Sequence, residues 1–177
     1  MNTNPPATEP QVEINLRDPT VAAILAWLIP GAGHLYQRRT GKGLLFMICI
    51  LGIYFFGLAL GEGKVVYASW NQVDRRWQFP LQAGVGLPAI PAVVQSMTVR
   101  RGNPPLMGGI MAPPKTQDEL ASWHYLLAQR FDIGTLYTMV AGLLNILAIW
   151  DAYGGPVITD PGKERGPPDD PKSKDKK

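Results

Sequence analysis

Two runs of uncharged, mostly apolar residues limit what this chain can become. Gly43–Gly61 (GLLFMICILGIYFFGLALG) holds 19 residues, and Ile133–Trp150 (IGTLYTMVAGLLNILAIW) holds 18. A helix needs about 20 mostly apolar residues to cross a hydrocarbon layer about 30 Å thick. Both runs are apolar all round rather than on one face, which suits a helix sunk in lipid or in a large core. A chain of 177 residues has no large core. The expected fold is therefore mainly α, a small integral membrane helical bundle. The mean hydropathy of −0.02 hides this, because the apolar residues are clustered.

A third, shorter run, Val21–Leu35 (VAAILAWLIPGAGHL), contains Pro30, which removes a backbone donor. It predicts a kinked span over 20–36, so that 20–61 forms a transmembrane hairpin with spans 20–36 and 43–61. The last span is 133–150, giving three spans in all. Residues 1–19 read as a flexible polar tail and 157–177 as a disordered charged one, since the latter has almost no apolar side chain to bury. Between the spans, 62–115 reads as extramembrane or partly re-entrant. A short hairpin is expected near KVVYASWNQVDRRWQF, and the three prolines of 77–99 argue against a continuous crossing. Thr116 and Glu119 have capping-box spacing, and Leu120, Trp123, Leu127 and Phe131 follow at helical steps. That pattern predicts an amphipathic helix over 116–131 lying in the membrane interface.

The stretch WLIPGAGHLYQRRTGKG joins the first two spans. It fails as a phosphate loop, because Gly43 follows Gly41-Lys42 where Ser or Thr is needed, and Tyr36 stands where the first glycine belongs. It fails as the end of a signal peptide, because the leading 19 residues are net acidic. What remains is an interface and turn motif of Pro30, Gly31, Gly33, His34, Tyr36, Arg38, Arg39 and Lys42. His34 and Tyr36 mark the interface, and the three cations mark the cytoplasmic side. His34 has no cluster of ligands near it in sequence, so a metal role is not expected. The single cysteine, Cys49, reads as a packing residue.

Small residues recur at four-residue steps, as Gly57 and Gly61 and as Gly134, Thr138 and Gly142, with Asn145 on nearly the same face. Small residues let membrane helices approach closely, and polar ones add shared hydrogen bonds. These six are expected to pack helices together. Thr138 and Asn145 could instead line a polar path for a solute. Asp132 and Asp151 bracket the last span and read as solvated helix ends.

Residues 20–61, through AAILAWLIPGAGHLYQRRTGKGLLF with Gly33, His34, Tyr36, Gly41 and Gly43, distantly resemble the two-transmembrane-helix family called the TM-two domain. Arg38-Arg39 stand where that family usually has Leu-Gly. Phe131–Pro156, together with the N-terminal hairpin, looks like a bacterial membrane-protein family of unknown function. The resemblance implies a multi-pass protein of the inner membrane, with membrane-embedded interaction as its role and no catalytic residues to carry over. The chain is thus expected to be a non-catalytic scaffold or interaction module. Its expected partners are the lipid bilayer, further copies of itself or other membrane proteins, with no nucleic acid and no cofactor. The alternative is a small transporter or channel subunit. The expected topology puts the 37–42 turn and the C-terminal tail in the cytoplasm, with the N-terminal tail and 62–132 outside.

Overall fold

The computed structural model describes residues 18–70 and 74–155. The expected tails at 1–17 and 157–177 lie outside the described residues. The described chain is helical, with no named strand. Two helices are long and apolar enough to cross a membrane: α3 (Thr40–Leu60) and α7 (Gln129–Gly154). At 1.5 Å per residue they run about 31 Å and about 39 Å.

These two helices form an antiparallel pair. Near one end, Gly57 and Gly134 face each other: a Cβ on Gly57 would come within 2.8 Å of the Gly134 carbonyl oxygen, and one on Gly134 within 2.6 Å of the Gly57 oxygen. Near the other end, Lys42 of α3 reaches Asp151 of α7. A Cβ on Gly61 would strike the Val65 side chain, while one on Gly134 would lie 3.2 Å from the Gly61 backbone nitrogen, so Gly61 also faces α7.

The segment expected as a kinked first span is a hairpin instead. α1 (Pro19–Leu28) is only 10 residues, and α2 (Ala32–Tyr36) folds back along it. A Cβ on Gly33 would strike the Ala22 carbonyl and the Ala26 side chain, residues that lie far apart from it in any continuous helix. Pro30 does more than kink the helix, because Gly31 follows it in a left-handed conformation (φ 83°) and completes a reversal. Ala22 and Ala26 cluster with Ala152, so the start of α1 lies at the same end as the close of α7. The expected three spans are therefore two long helices plus a hairpin. The chain at Asp18 lies at the end that carries the 37–42 turn, not the opposite one.

A second hairpin enters from the other end. α4 (Phe79–Ala83) runs along α7 from Thr135 toward Asn145, and α5 (Ile90–Arg100) returns, with a 3-10 turn at Leu87–Ala89 between them. The two hairpin tips meet. Gly86 (φ 84°) approaches Trp27 so closely that a Cβ would lie 1.8 Å from the Trp27 carbonyl oxygen, so only glycine fits. Of the hairpin expected in 64–79, one antiparallel bridge remains, Trp70 to Arg75.

α6 (Gln117–Leu127) is capped as its spacing predicts: Thr116 Oγ1 accepts from Glu119 N at 3.2 Å, and Glu119 Oε2 accepts from Lys115 N at 2.8 Å. It ends sooner than expected, at Ala128, whose φ of 45° breaks the helix before α7 begins. Its apolar face turns inward. Trp123, Leu127 and Phe131 are buried, and Trp123 meets the Tyr67 ring edge-on at 5.9 Å. The stripe read as interface-lying thus packs on 64–68, leaving Tyr125 and Leu126 exposed.

Candidate functional site

The densest group of charges gathers where the first hairpin, the start of α3 and the end of α7 converge. Asp151 is its centre. His34 Nε2 lies 2.6 Å from Asp151 Oδ2, Lys42 Nζ donates to Oδ1 at 2.7 Å, and Arg39 NH2 stands 3.5 Å from Oδ2. A carboxylate only accepts, so His34 carries its proton on Nε2. His34 is fully buried, with Phe46 packed edge-on against its ring at 5.0 Å. Its Nδ1 has no partner among the described residues. Gln37 Nε2 donates to the Ala152 carbonyl at 2.7 Å, where α7 runs out of helical acceptors.

Backbone geometry brings these cations together. α2 closes with Arg39 N donating to His34 O and Arg38 N to Leu35 O, the paired bonds of a Schellman motif. Arg38 takes the left-handed position (φ 62°) and stays exposed. Arg39 and Lys42 then fall on the side facing α7.

A second polar set runs through the bundle. Asn145 is fully buried, and its amide donates to Ala26 O at 3.1 Å and Gly84 O at 2.9 Å. Each is a carbonyl near the tip of one hairpin. Gln82 donates to Val65 O at 3.0 Å and Thr138 Oγ1 at 2.9 Å, while Thr138 donates back to its own helix. Gly142 lets α4 approach: a Cβ there would lie 1.9 Å from Leu81 O. Further along, Arg76 is buried between the rings of Tyr67 and Phe131, with centroids at 4.5 and 5.1 Å, and donates to Val65 O and Thr135 Oγ1. Burial lowers its pKa, opposed by Tyr67 and Asp74 nearby, and burial raises that of Tyr67. The Tyr67 hydroxyl donates to Asp74.

The family model for DUF6677, a family of unknown function, matches residues 21–165. The chain belongs to this family. The DUF6677 match spans both hairpins and both long helices, so the Asp151 cluster and the Asn145 junction lie inside it. No curated protein and no solved structure matches the chain.

The residues singled out from sequence divide accordingly. His34, Arg39 and Lys42 come together on Asp151. Thr138, Gly142 and Asn145 meet the second hairpin, and Gly57 and Gly134 meet each other. Gly31 packs on Gly43 and Met47, Gly33 on Ala22 and Ala26, and Tyr36 against the small alanine cluster. Asp151 itself went unrecognised as a counter-ion. The available signal was its place: an acid at a helix C-terminus opposes the helix dipole and calls for a nearby cation. Arg76, Gln82 and Gln95 were also missed as buried anchors. Gln95 holds Leu106 through both its amide nitrogen and its oxygen.

Proposed function

We propose that this member of DUF6677 is a non-catalytic multi-pass protein of the bacterial inner membrane that serves as a scaffold for other membrane components. In this reading α3 and α7 cross the bilayer and the two hairpins are re-entrant. Irregular backbone is tolerated at membrane depth only where protein or water satisfies it. The observation that carries the reading is how the interior polar groups are used. Asn145 ties both hairpin tips, Thr138 and Gln82 bond each other and the backbone, and both Asn145 and Thr138 have no exposure. The amide donors of Asn145 and Gln82 hold helices and hairpins together, which suits a rigid body better than a conduit. Outward, α3 and α7 present Leu45, Ile48, Phe56, Leu136, Leu147 and Trp150. The resemblance to the two-helix interaction family favours the same role. A photo-crosslinking residue at Tyr125 or Trp77, both well exposed, should capture a reproducible partner in native membranes. Capture of random neighbours alone would remove the scaffold reading.

A transporter or channel subunit is the second reading, favoured by two broken hairpins meeting inside the bundle. Solute flux through reconstituted vesicles, abolished in Asn145→Leu, would replace the scaffold reading with this one.

A further inference from the structure

At the end of the bundle away from Asp151, a cleft of about 560 Å³ opens between the last turns of α5 and the loops at 102–104 and 113–115. Its size falls within the range of about 300–1,000 Å³ typical of small-molecule sites. Ser96 lines it and is 6% exposed, yet its hydroxyl makes no hydrogen bond to any described residue. A helical serine or threonine ordinarily donates to the carbonyl one turn back, as Thr98 does to Val94 O at 2.9 Å. Ser96, nearly buried as a residue, thus turns a hydroxyl without a hydrogen bond among the described residues to the cleft wall. Arg100, four residues on and therefore on the same helix face, lines the cleft too, and Lys115 stands in its lining from the neighbouring loop. Neither forms an ion pair among the described residues. Asn103 adds an amide, and the remaining wall is mostly proline, alanine and valine.

The surroundings do not forbid an anion. Glu119 accepts from the backbone of Lys115 at the cleft edge, and no carboxylate stands among the described residues that line the cleft. The C-terminal carbonyls of α5 would repel negative charge if free. Three of the last four are taken up: Asn103 N donates to Thr98 O, Gly102 N to Val99 O and Arg101 N to Met97 O.

We propose that this cleft binds the phosphate group of an organic phosphate ester, with Arg100 and Lys115 meeting its charge and Ser96 donating to one oxygen. The ester is either a soluble molecule or the headgroup of an anionic lipid, and the apolar wall receives the carbon atoms next to the phosphate. Neither the scaffold reading nor the alternative depends on this site.

The test uses the full chain in nanodiscs of phosphatidylcholine. One arm titrates glycerol 3-phosphate by calorimetry. The other includes phosphatidylglycerol in the disc and measures lipid retained by native mass spectrometry. Saturable binding in the first arm identifies a soluble ester, and retention in the second alone identifies a headgroup. In whichever arm binds, Arg100→Gln should weaken binding about tenfold or more, the loss expected for a charge-assisted hydrogen bond. Ser96→Leu should abolish it by filling the wall. Arg101→Gln, the same charge change outside the cleft, should leave it unchanged. Absence of binding in both arms overturns the proposal, and so does an equal loss in Arg100→Gln and Arg101→Gln, which would mean general charge attraction.

Discussion

At the scale of single residues, Asp151 holds the hairpin end together, because three basic side chains from two other elements meet on its two oxygens. Asp151→Asn keeps the shape and removes the charge. Hydrogen bonds to charged groups contribute about 1.5–3 kcal/mol each when broken singly, and this carboxylate is one-third exposed, which discounts the ion pairs. A net loss of about 2 kcal/mol is expected, read as a lower midpoint of unfolding in mixed detergent. A stability equal to the unsubstituted protein would mean that the cluster is solvated and incidental. Arg38 gives the opposite sign. It occupies a left-handed position at φ 62°, where glycine has no steric cost. Arg38→Gly should stabilise by about 0.5–1 kcal/mol in the same assay, since relief of strain outweighs the added chain entropy. The identity of the turn was legible from Gly-rich, basic composition. Its partner was not, because Asp151 is 117 residues from His34 and no local period encodes a contact at that distance.

At the scale of elements, the two hairpins stand on one side chain and one glycine. Asn145→Asp keeps the size but has no donor when ionised, so the carbonyls of Ala26 and Gly84 would lose their partner and face a third oxygen. Asn145→Leu leaves the same carbonyls bare without adding charge. Each unsatisfied buried group costs about 1–3 kcal/mol, so a loss of about 2–3 kcal/mol is expected for Leu and more for Asp. Equal stability of all three proteins would show that the junction is wet. Gly142→Ala forces a methyl group into the Leu81 carbonyl and should cost about 1–3 kcal/mol, as overpacking does. Gly52→Ala is its control: it lies inside α3 with nothing within 4 Å of the new Cβ, and should stabilise by up to about 1 kcal/mol through helix propensity alone. The small-residue spacing of α7 could be read from sequence because it repeats within one helix. What it packs against could not. Pro30 pointed to a break, and a break allows a kink and a reversal alike; the reversal follows from Gly31 and from Ala22 and Ala26 offering small surfaces for α2 to return along. In α6 the stripe was legible and its destination was not, because an apolar face is equally suited to lipid and to the Tyr67 ring.

At the scale of the whole molecule, the hairpin changes which ends share a side. Asp18, the 37–42 turn and Gly154 lie together, with α6 and the 62–70 stretch at the other end. With three crossings, position 20 and position 41 would fall on opposite sides of a membrane. With two crossings and re-entrant hairpins, they fall on the same side. Cys49 is the single cysteine and is exposed on α3, so Cys49→Ser gives a clean background. Thr20→Cys, Gly41→Cys, Tyr125→Cys and Gly154→Cys then report four places, all exposed, and neither glycine has an atom within 4 Å of a new Cβ. In sealed, uniformly oriented vesicles, an impermeant maleimide should label 20, 41 and 154 alike and protect or expose 125 in the opposite sense. If 20 and 41 label from opposite sides, the first segment crosses, the α1–α2 reversal does not exist in the membrane, and the tie from Asn145 to Ala26 falls with it. If 41 and 125 label from the same side, α3 does not cross and the bundle is not a membrane-spanning one. The agreement of 20 with 41 and 154 rests on the α1–α2 reversal, in which Gly31, left-handed after Pro30, turns the chain back along Ala22 and Ala26.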